Sequence, residues 1–366
     1  MLKLVEQIKQ NGLEFICNKY SITAKRHGKY SNLVLLKYDQ INSPMGVKIV
    51  QQCRGIILDE ANDWKIICYT YDKFFNHGEG HAAKIDWTTA RVYEKADGSL
   101  CQLFRYNNEW LIATSGTPDA SGNVNDYGFN FAELFWKVWN ELGYKLPDEC
   151  DNNKCYAFEL LTPYNRIVVQ HKSNKLILHG ARDLLNLKEL NPVIEAHYNK
   201  WECIRSYPIT SLDEAVEKAN KFDPLDPEEG EGFVVVDQNF NRLKIKGKNY
   251  LAMSHLKESC GSSKRQLLEL VRNNEGDEFL TAFEEYRNEY NEIRFKYERL
   301  IGKMEGFYDA IKHITERKDF AIQAKKVNYS DALFSMKYGK VSDFKNYIST
   351  LPIKSLEKLL ELNIIE

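Results

Sequence analysis

The stretch Arg91-Val92-Tyr93-Glu94-Lys95-Ala96-Asp97-Gly98-Ser99-Leu100-Cys101-Gln102-Leu103-Phe104 sets a short polar turn between two apolar runs. The runs ARVY (from Ala90) and SLCQLF read as strands, and Asp97-Gly98 is a turn-forming pair. Lys95 therefore stands where a strand ends and a tight bend begins, which directs its amine into a cleft. Alone, the same residues read equally well as a hairpin turn with a solvated lysine, because short motifs recur by chance. The rest of the chain has to decide.

Working outward, residues from about Tyr30 to Tyr250 fall into short alternating or apolar runs separated by turn residues, the pattern of antiparallel sheet. CYAFELL, RIVVQ, KLILHGA, GFVVVD and RLKIK are examples, and the last two, joined around Gln238 to Asn241, read as a hairpin. Strand alternation puts Lys244 and Lys246 on one face and leaves Glu159 as a carboxylate within an apolar strand, an expensive placement without a partner. Helices interrupt the sheet. Phe131, Leu134, Phe135, Val138 and Leu142 form a helical stripe ended by Gly143, and Ser211 with Glu214 forms a capping box.

Beyond Tyr250 the texture changes. Ser263 with Gln266 reads as another capping box. A long helix is predicted from about Asp277 to Ile314, its apolar positions from Phe279 to Ile311 stepping by fours and threes. Short helices open near Asp331 and Asp343, and Pro352 breaks the last pair. The predicted class is α+β: a mainly antiparallel domain over 1–255, then an all-α domain over 256–366.

Composition narrows the function. With 366 residues, 43% hydrophobic and 28% charged, the chain is long enough for two cores and is not globally disordered. Fifty Lys and Arg against 52 Asp and Glu exclude a polycation, so nucleic-acid affinity would need a local basic groove. The eight cysteines form no CxxC pair, and most lie in apolar runs, as buried thiols of a reducing compartment do. No apolar run reaches membrane-spanning length, and the N-terminus lacks a signal-peptide core, which predicts a soluble cytoplasmic protein without membrane partners.

Lys95-x-Asp97-Gly98, Phe158-Glu159, Glu231-Gly232-Phe233 and Lys244-Ile245-Lys246 come in the order and spacing of nucleotidyltransferase motifs I, III, IV and V. Together with Cys53-Arg54-Gly55, Lys73-Phe74-Phe75-Asn76 and Pro163-Tyr164-Asn165-Arg166-Ile167-Val168, they resemble the T-even-phage type of RNA ligase 1, a tRNA-repair family. The matching motifs span positions 54 to 246. The resemblance implies a ligase-type nucleotidyltransferase domain, related in shape to ATP-grasp enzymes. It departs at Ala96, where the best-known members are acidic, and at Ser115 before Gly116, where they carry a lysine.

The resemblance implies an ATP-dependent RNA ligase that joins a 3′-hydroxyl to a 5′-phosphate through lysyl-AMP on Lys95 and then adenylylated RNA. Lys95, Glu159, Lys244 and Lys246 are the implied catalytic set. Arg54 and Glu159 would contact the nucleotide, Lys73 the phosphates, and Tyr38 and Phe75 the nucleotide pocket. The implied cofactors are ATP and Mg2+, with Mn2+ as an alternative, held by Glu231 and by Asp277 from the C-terminal domain. A lysine must be neutral to attack, and like-charge repulsion from Lys244, Lys246 and a bound metal is expected to favour that form. The implied partners are single-stranded RNA ends, with a nicked tRNA anticodon loop as a candidate, engaged by a monomer.

Blander readings apply elsewhere. The loop His77-Gly78-Glu79-Gly80-His81 is first a loop and only second a metal site, and the tyrosines of the long helix are first core. Two alternatives remain: a DNA ligase or GTP-using capping enzyme, which would place a small β-barrel after the last motif, and an RNA-binding repair subunit without catalysis.

Overall fold

In the computed structural model, residues 1, 126, 225, 227–228, 261–263, 274–275, 277–278, 281–282 and 363–366 are not described, and residues 255–260 and 285 are described by their backbone alone. The expectations for Ser263 and Asp277 lie outside the described residues. The chain divides into two compact units, Met1–Leu251 and Ala252–Glu366.

The first unit carries three sheets. Strands β1 (Ile22–Arg26), β2 (Leu33–Tyr38), β3 (Arg54–Asp59) and β4 (Lys65–Cys68) form the first, in that order. The strands that follow are β5 (Phe75–Asn76), β6 (Arg91–Lys95), β7 (Ser99–Tyr106), β8 (Glu109–Thr114), β9 (Lys154–Leu161), β10 (Lys175–Asp183) and β11 (Glu189–Leu190). After them come β12 (Glu202–Cys203), β13 (Ser206–Tyr207), β14 (Gly232–Val236) and β15 (Arg242–Lys246). The second sheet runs β11-β10-β9-β7-β8, with β12 parallel to β10, and the third runs β13-β6-β14-β15-β5. Pairing is antiparallel except for β12 on β10 and β5 on β15.

This topology positions the site. β6 belongs to the third sheet and β7 to the second, so Lys95 to Gly98 is the crossing from one sheet to the other. The expected hairpin is present as β14 and β15, with Val234 opposite Lys244 and Gly232 opposite Lys246. Alternation along β9 sends Phe158 and Leu160 into an apolar cluster with Leu134, Phe135 and Val138 of the helix Phe131–Glu141. That helix is capped by Asn130, whose side chain accepts from the Glu133 N–H, and ends before Gly143. Leu142, expected in the stripe, lies at its C-terminal end and is exposed.

Two sequence expectations need correction. RIVVQ is not a strand. The Val168 and Val169 N–H groups donate to the buried Asp97 carboxylate at 2.7 and 2.6 Å instead of to a neighbouring strand. The predicted helix from Asp277 is interrupted: Phe283 leaves helical geometry (φ −129°, ψ 68°), Glu284–Tyr286 makes a tight turn, and the continuous helix is Arg287–Ile311.

The second unit is helical, with Lys264–Asn273 packed on Arg287–Ile311, followed by Arg317–Ala324, Ser330–Lys337, Phe344–Ser349 and Ile353–Leu359. Tyr290, Ile293, Tyr297, Leu300 and Met304 are buried along one stripe of the long helix, so its tyrosines at 290 and 297 are core. Among the described residues no helix is long and apolar enough to cross a membrane.

Candidate active site

Lys95 closes β6 directly opposite Gly232 of β14, and Glu231 immediately precedes that glycine. The register brings the Lys95 Nζ to 2.5 Å from Glu231 Oε1, while the Lys246 Nζ lies 2.8 Å from Glu231 Oε2. The Glu231 side chain is 6% exposed, so one buried carboxylate is shared between two ammonium groups. Burial works against the ionised Glu231, but the two lysines outweigh it and hold the carboxyl below its usual range. Burial likewise pulls the Lys95 amine down, yet Glu231 and then Glu159 hold it above its usual value.

This corrects the expected electrostatics. Repulsion from Lys244 and Lys246 does not leave Lys95 depressed, because Glu231 stands in contact with it and outweighs them, and Lys246 is itself paired with that carboxylate. Lys244 is the depressed amine instead. It is pushed down to about 7 by burial first, and then by Arg54, Lys95, Lys73 and Lys246.

The turn after Lys95 is pinned by Asp97. Besides the two valine N–H groups, its carboxylate accepts from the Tyr250 hydroxyl at 2.8 Å, and its backbone carbonyl lies 2.7 Å from His171 Nε2. Gly98 is dictated by crowding, since a Cβ there would fall 2.5 Å from the Leu160 carbonyl and 3.1 Å from Glu159 Cγ.

Lys95, Arg54, Glu159, Glu231 and Lys244 line a single cavity of about 530 Å³. A smaller one of about 220 Å³ shares Arg54 and Lys244 with it and adds Tyr38 and Lys73. Tyr38 thus belongs to the cationic end, where the Lys73 Nζ sits 5.1 Å from its ring centroid. Phe75 lines neither cavity. It is buried beneath Lys73, and its neighbour Phe74 faces the larger cavity, 4.9 Å from the Lys244 Nζ and 5.0 Å from the Arg54 guanidinium carbon.

Several residues of this wall were missed. Glu159 is approached by His179, whose Nε2 lies 3.4 Å from Oε2 without a hydrogen bond between them. His179 stacks on Tyr71, and the Tyr71 hydroxyl donates to the His179 carbonyl at 2.9 Å. The Arg242 guanidinium sits 4.4 Å from the Tyr71 ring and pairs with Glu189 at 2.5 Å, a carboxylate it shares with Arg182. Arg242 was detectable, for the alternation that selects Lys244 and Lys246 also selects position 242. Tyr71 and His179 carry no such pattern. His81 packs on Phe75.

Can these residues hold a nucleotide triphosphate and a divalent cation? The Arg54 Nη1 is buried and has no hydrogen-bond partner among the described residues, and neither Arg54, Lys73 nor Lys244 has a carboxylate partner there. An orphaned guanidinium nitrogen beside two unopposed ammonium groups fits a polyphosphate. Glu231 is a carboxylate of the hard-oxygen kind that Mg2+ or Mn2+ accepts.

The chain has relatives among known proteins. A candidate bifunctional polynucleotide kinase/RNA ligase of Autographa californica nuclear polyhedrosis virus is 28% identical over 77% of this chain, which spans 42% of that protein's length. An RNA ligase of Rhodothermus phage RM378 is 26% identical over 72% of this chain and 73% of the relative. An archaeal ATP-dependent RNA ligase structure covers 90% of this chain and 79% of its own, at 11% identity and a TM-score of 0.46. The sequence model of the RNA ligase family matches residues 52–260, more than half the chain and every matched motif, so the chain belongs to the RNA ligase family of the T4 RNA ligase 1 type.

Proposed function

We propose that this protein is an ATP-dependent RNA ligase, with Lys95 as the nucleophile and the cavity it faces as the ATP site. The observation that carries this reading is Lys95 at the crossing between two sheets, ion-paired to Glu231 and facing a cavity whose Arg54 and Lys244 lack anionic partners.

The Lys95 lone pair attacks the α-phosphorus of ATP, the bond to the β-phosphate oxygen breaks, pyrophosphate leaves, and the amine loses its proton. AMP then passes to the 5′-phosphate of RNA, and the 3′-hydroxyl displaces it. Glu231 is the counter-ion that keeps Lys95 protonated at rest. Engaging that carboxylate elsewhere leaves burial and the neighbouring cations to favour the neutral amine. A divalent cation held by Glu231 would supply positive charge to the α-phosphate and to the bond that breaks. Lys244 and Arg54, joined by Lys246 once Glu231 is engaged elsewhere, stabilise charge developing on the phosphate, and Glu159 positions the nucleotide.

Among the described residues no strand follows Lys246, which favours RNA ligation over DNA ligases and capping enzymes with a barrel there. We place RNA end recognition, with a broken tRNA loop as the candidate substrate, on the helical residues after 255.

Incubation with α-labelled ATP and Mg2+ tests the proposal. The expected result is a labelled protein, lost in Lys95→Ala, which still seals pre-adenylylated RNA. An adduct on Lys95→Ala, or none on the wild type, overturns it.

A further inference from the structure

Ser115, one of the two departures from the resemblance set out above, follows β8, yet the space above it is not without charge. Lys37, near the end of β2, reaches it from the first sheet. A Cβ placed on Gly116 would lie 3.5 Å from the Lys37 Nζ, and Lys37 and Ser115 line both cavities together. Two further observations mark this amine as waiting for an anion. Lys37 pairs across the sheet with Arg54, so two cations face each other where a like-charge pair is destabilising. No carboxylate partners Lys37 among the described residues, and the facing Arg54 holds the orphaned Nη1. The backbones are tightly apposed here: Gly55 (φ +83°) comes so near Ser115 that a Cβ would sit 3.0 Å from its Cα. The start of β3, with Lys37 of β2 paired beside it, is therefore held against the turn after β8, and Lys37 and Ser115 face the same void.

We propose that Lys37 is this chain's own grip on the polyphosphate of ATP, delivering from β2 the charge that a lysine at position 115 would deliver from the turn after β8. The inference rests on the ATP-dependent reading of the site. With Arg54, Lys73 and Lys244 it completes a four-cation cradle for the β- and γ-phosphates and for departing pyrophosphate. Pyrophosphate leaves before RNA is sealed, so Lys37 serves protein-AMP formation more than the last step.

The experiment separates the two steps. For protein-AMP formation, Lys37→Ala should raise the KM for ATP about tenfold or more and weaken inhibition by pyrophosphate in parallel, the scale of one lost charge-assisted contact. Lys37→Arg should stay near the wild type. Lys37→Ala combined with Ser115→Lys should recover most of the loss, a rescue that a merely structural lysine would not show. In Lys37→Ala, sealing of pre-adenylylated RNA should fall by a smaller factor than protein-AMP formation. An unchanged KM in Lys37→Ala, or loss without rescue by Ser115→Lys, overturns the inference. So does slowed sealing of pre-adenylylated RNA with ATP dependence intact, which would assign Lys37 to an RNA phosphate. Failure of the wild type to form any adduct would instead sink the ligase reading itself. If Lys37→Ala lowers the melting temperature, Lys37→Gln and calorimetric binding of pyrophosphate carry the same comparison.

Discussion

Replacing Asp97 by alanine should loosen the turn that carries Lys95, and the structure sets the size of the effect. The Asp97 side chain is buried and accepts from the Val168 and Val169 N–H groups and the Tyr250 hydroxyl, at 2.7, 2.6 and 2.8 Å. Alanine leaves two backbone donors buried without partners, at about 1–3 kcal/mol each. The loss is partly offset because the native carboxyl is itself costly, held above its usual range by burial and then by Glu231. A net loss of about 3 kcal/mol corresponds to roughly 6–12 °C in the melting temperature of a unit this size. Asp97→Asn should behave differently. Its amide oxygen can accept from both valines while its NH2 donates to the tyrosine oxygen. The sign of the pH dependence follows from the raised folded pKa: the stabilisation is present when Asp97 is protonated and is lost as pH rises through that value, whereas asparagine is indifferent. The Asn variant should therefore gain on the wild type as pH rises. Thermal unfolding by circular dichroism, paired with the labelled-ATP assay, measures both effects. An alanine variant melting within about 2 °C of the wild type, or an asparagine variant as unstable as alanine, would refute the anchoring role.

Two other outcomes follow from the charges around Lys95. Because Lys244 has a folded pKa of about 7, ATP binding should draw in a proton above neutrality, and ATP affinity should fall between pH 7.5 and 9. Lys244→Arg, which stays charged, should flatten that slope; a wild-type affinity independent of pH contradicts the assignment. Glu231→Gln removes the main charge holding Lys95 up, so pyridoxal phosphate should label Lys95 at lower pH in the variant, although metal-dependent adenylylation falls at least tenfold. Labelling at the same pH in both proteins would count against Glu231 as counter-ion.

Local order along the chain was legible in the sequence. A two-residue repeat puts Arg242, Lys244 and Lys246 on one face of a strand whatever packs against it, and Asp97-Gly98 between apolar runs forms a turn on local grounds. The α+β class and the helical character beyond Tyr250 follow from the same short-range rules. The charge balance of the site does not, for it depends on distances between groups far apart in the chain. Lys95 meets Glu231 across 136 residues, and the valines that satisfy Asp97 lie 71 and 72 residues away. Periodicity named Lys244 and Lys246 together, but only the pairing of β14 with both β6 and β15 spent Lys246 on Glu231 and left Lys244 unopposed. RIVVQ has the composition of a strand, yet its N–H groups found a carboxylate first, and Phe74 rather than Phe75 faces the cavity. Lys37 is the clearest case. Nothing near it in the sequence marks it for the site, and only the apposition of the first sheet to the turn after β8 brings its amine above Gly116. Side-chain direction is set within a few residues, whereas Coulomb energies are set by separations that only the packed sheets decide.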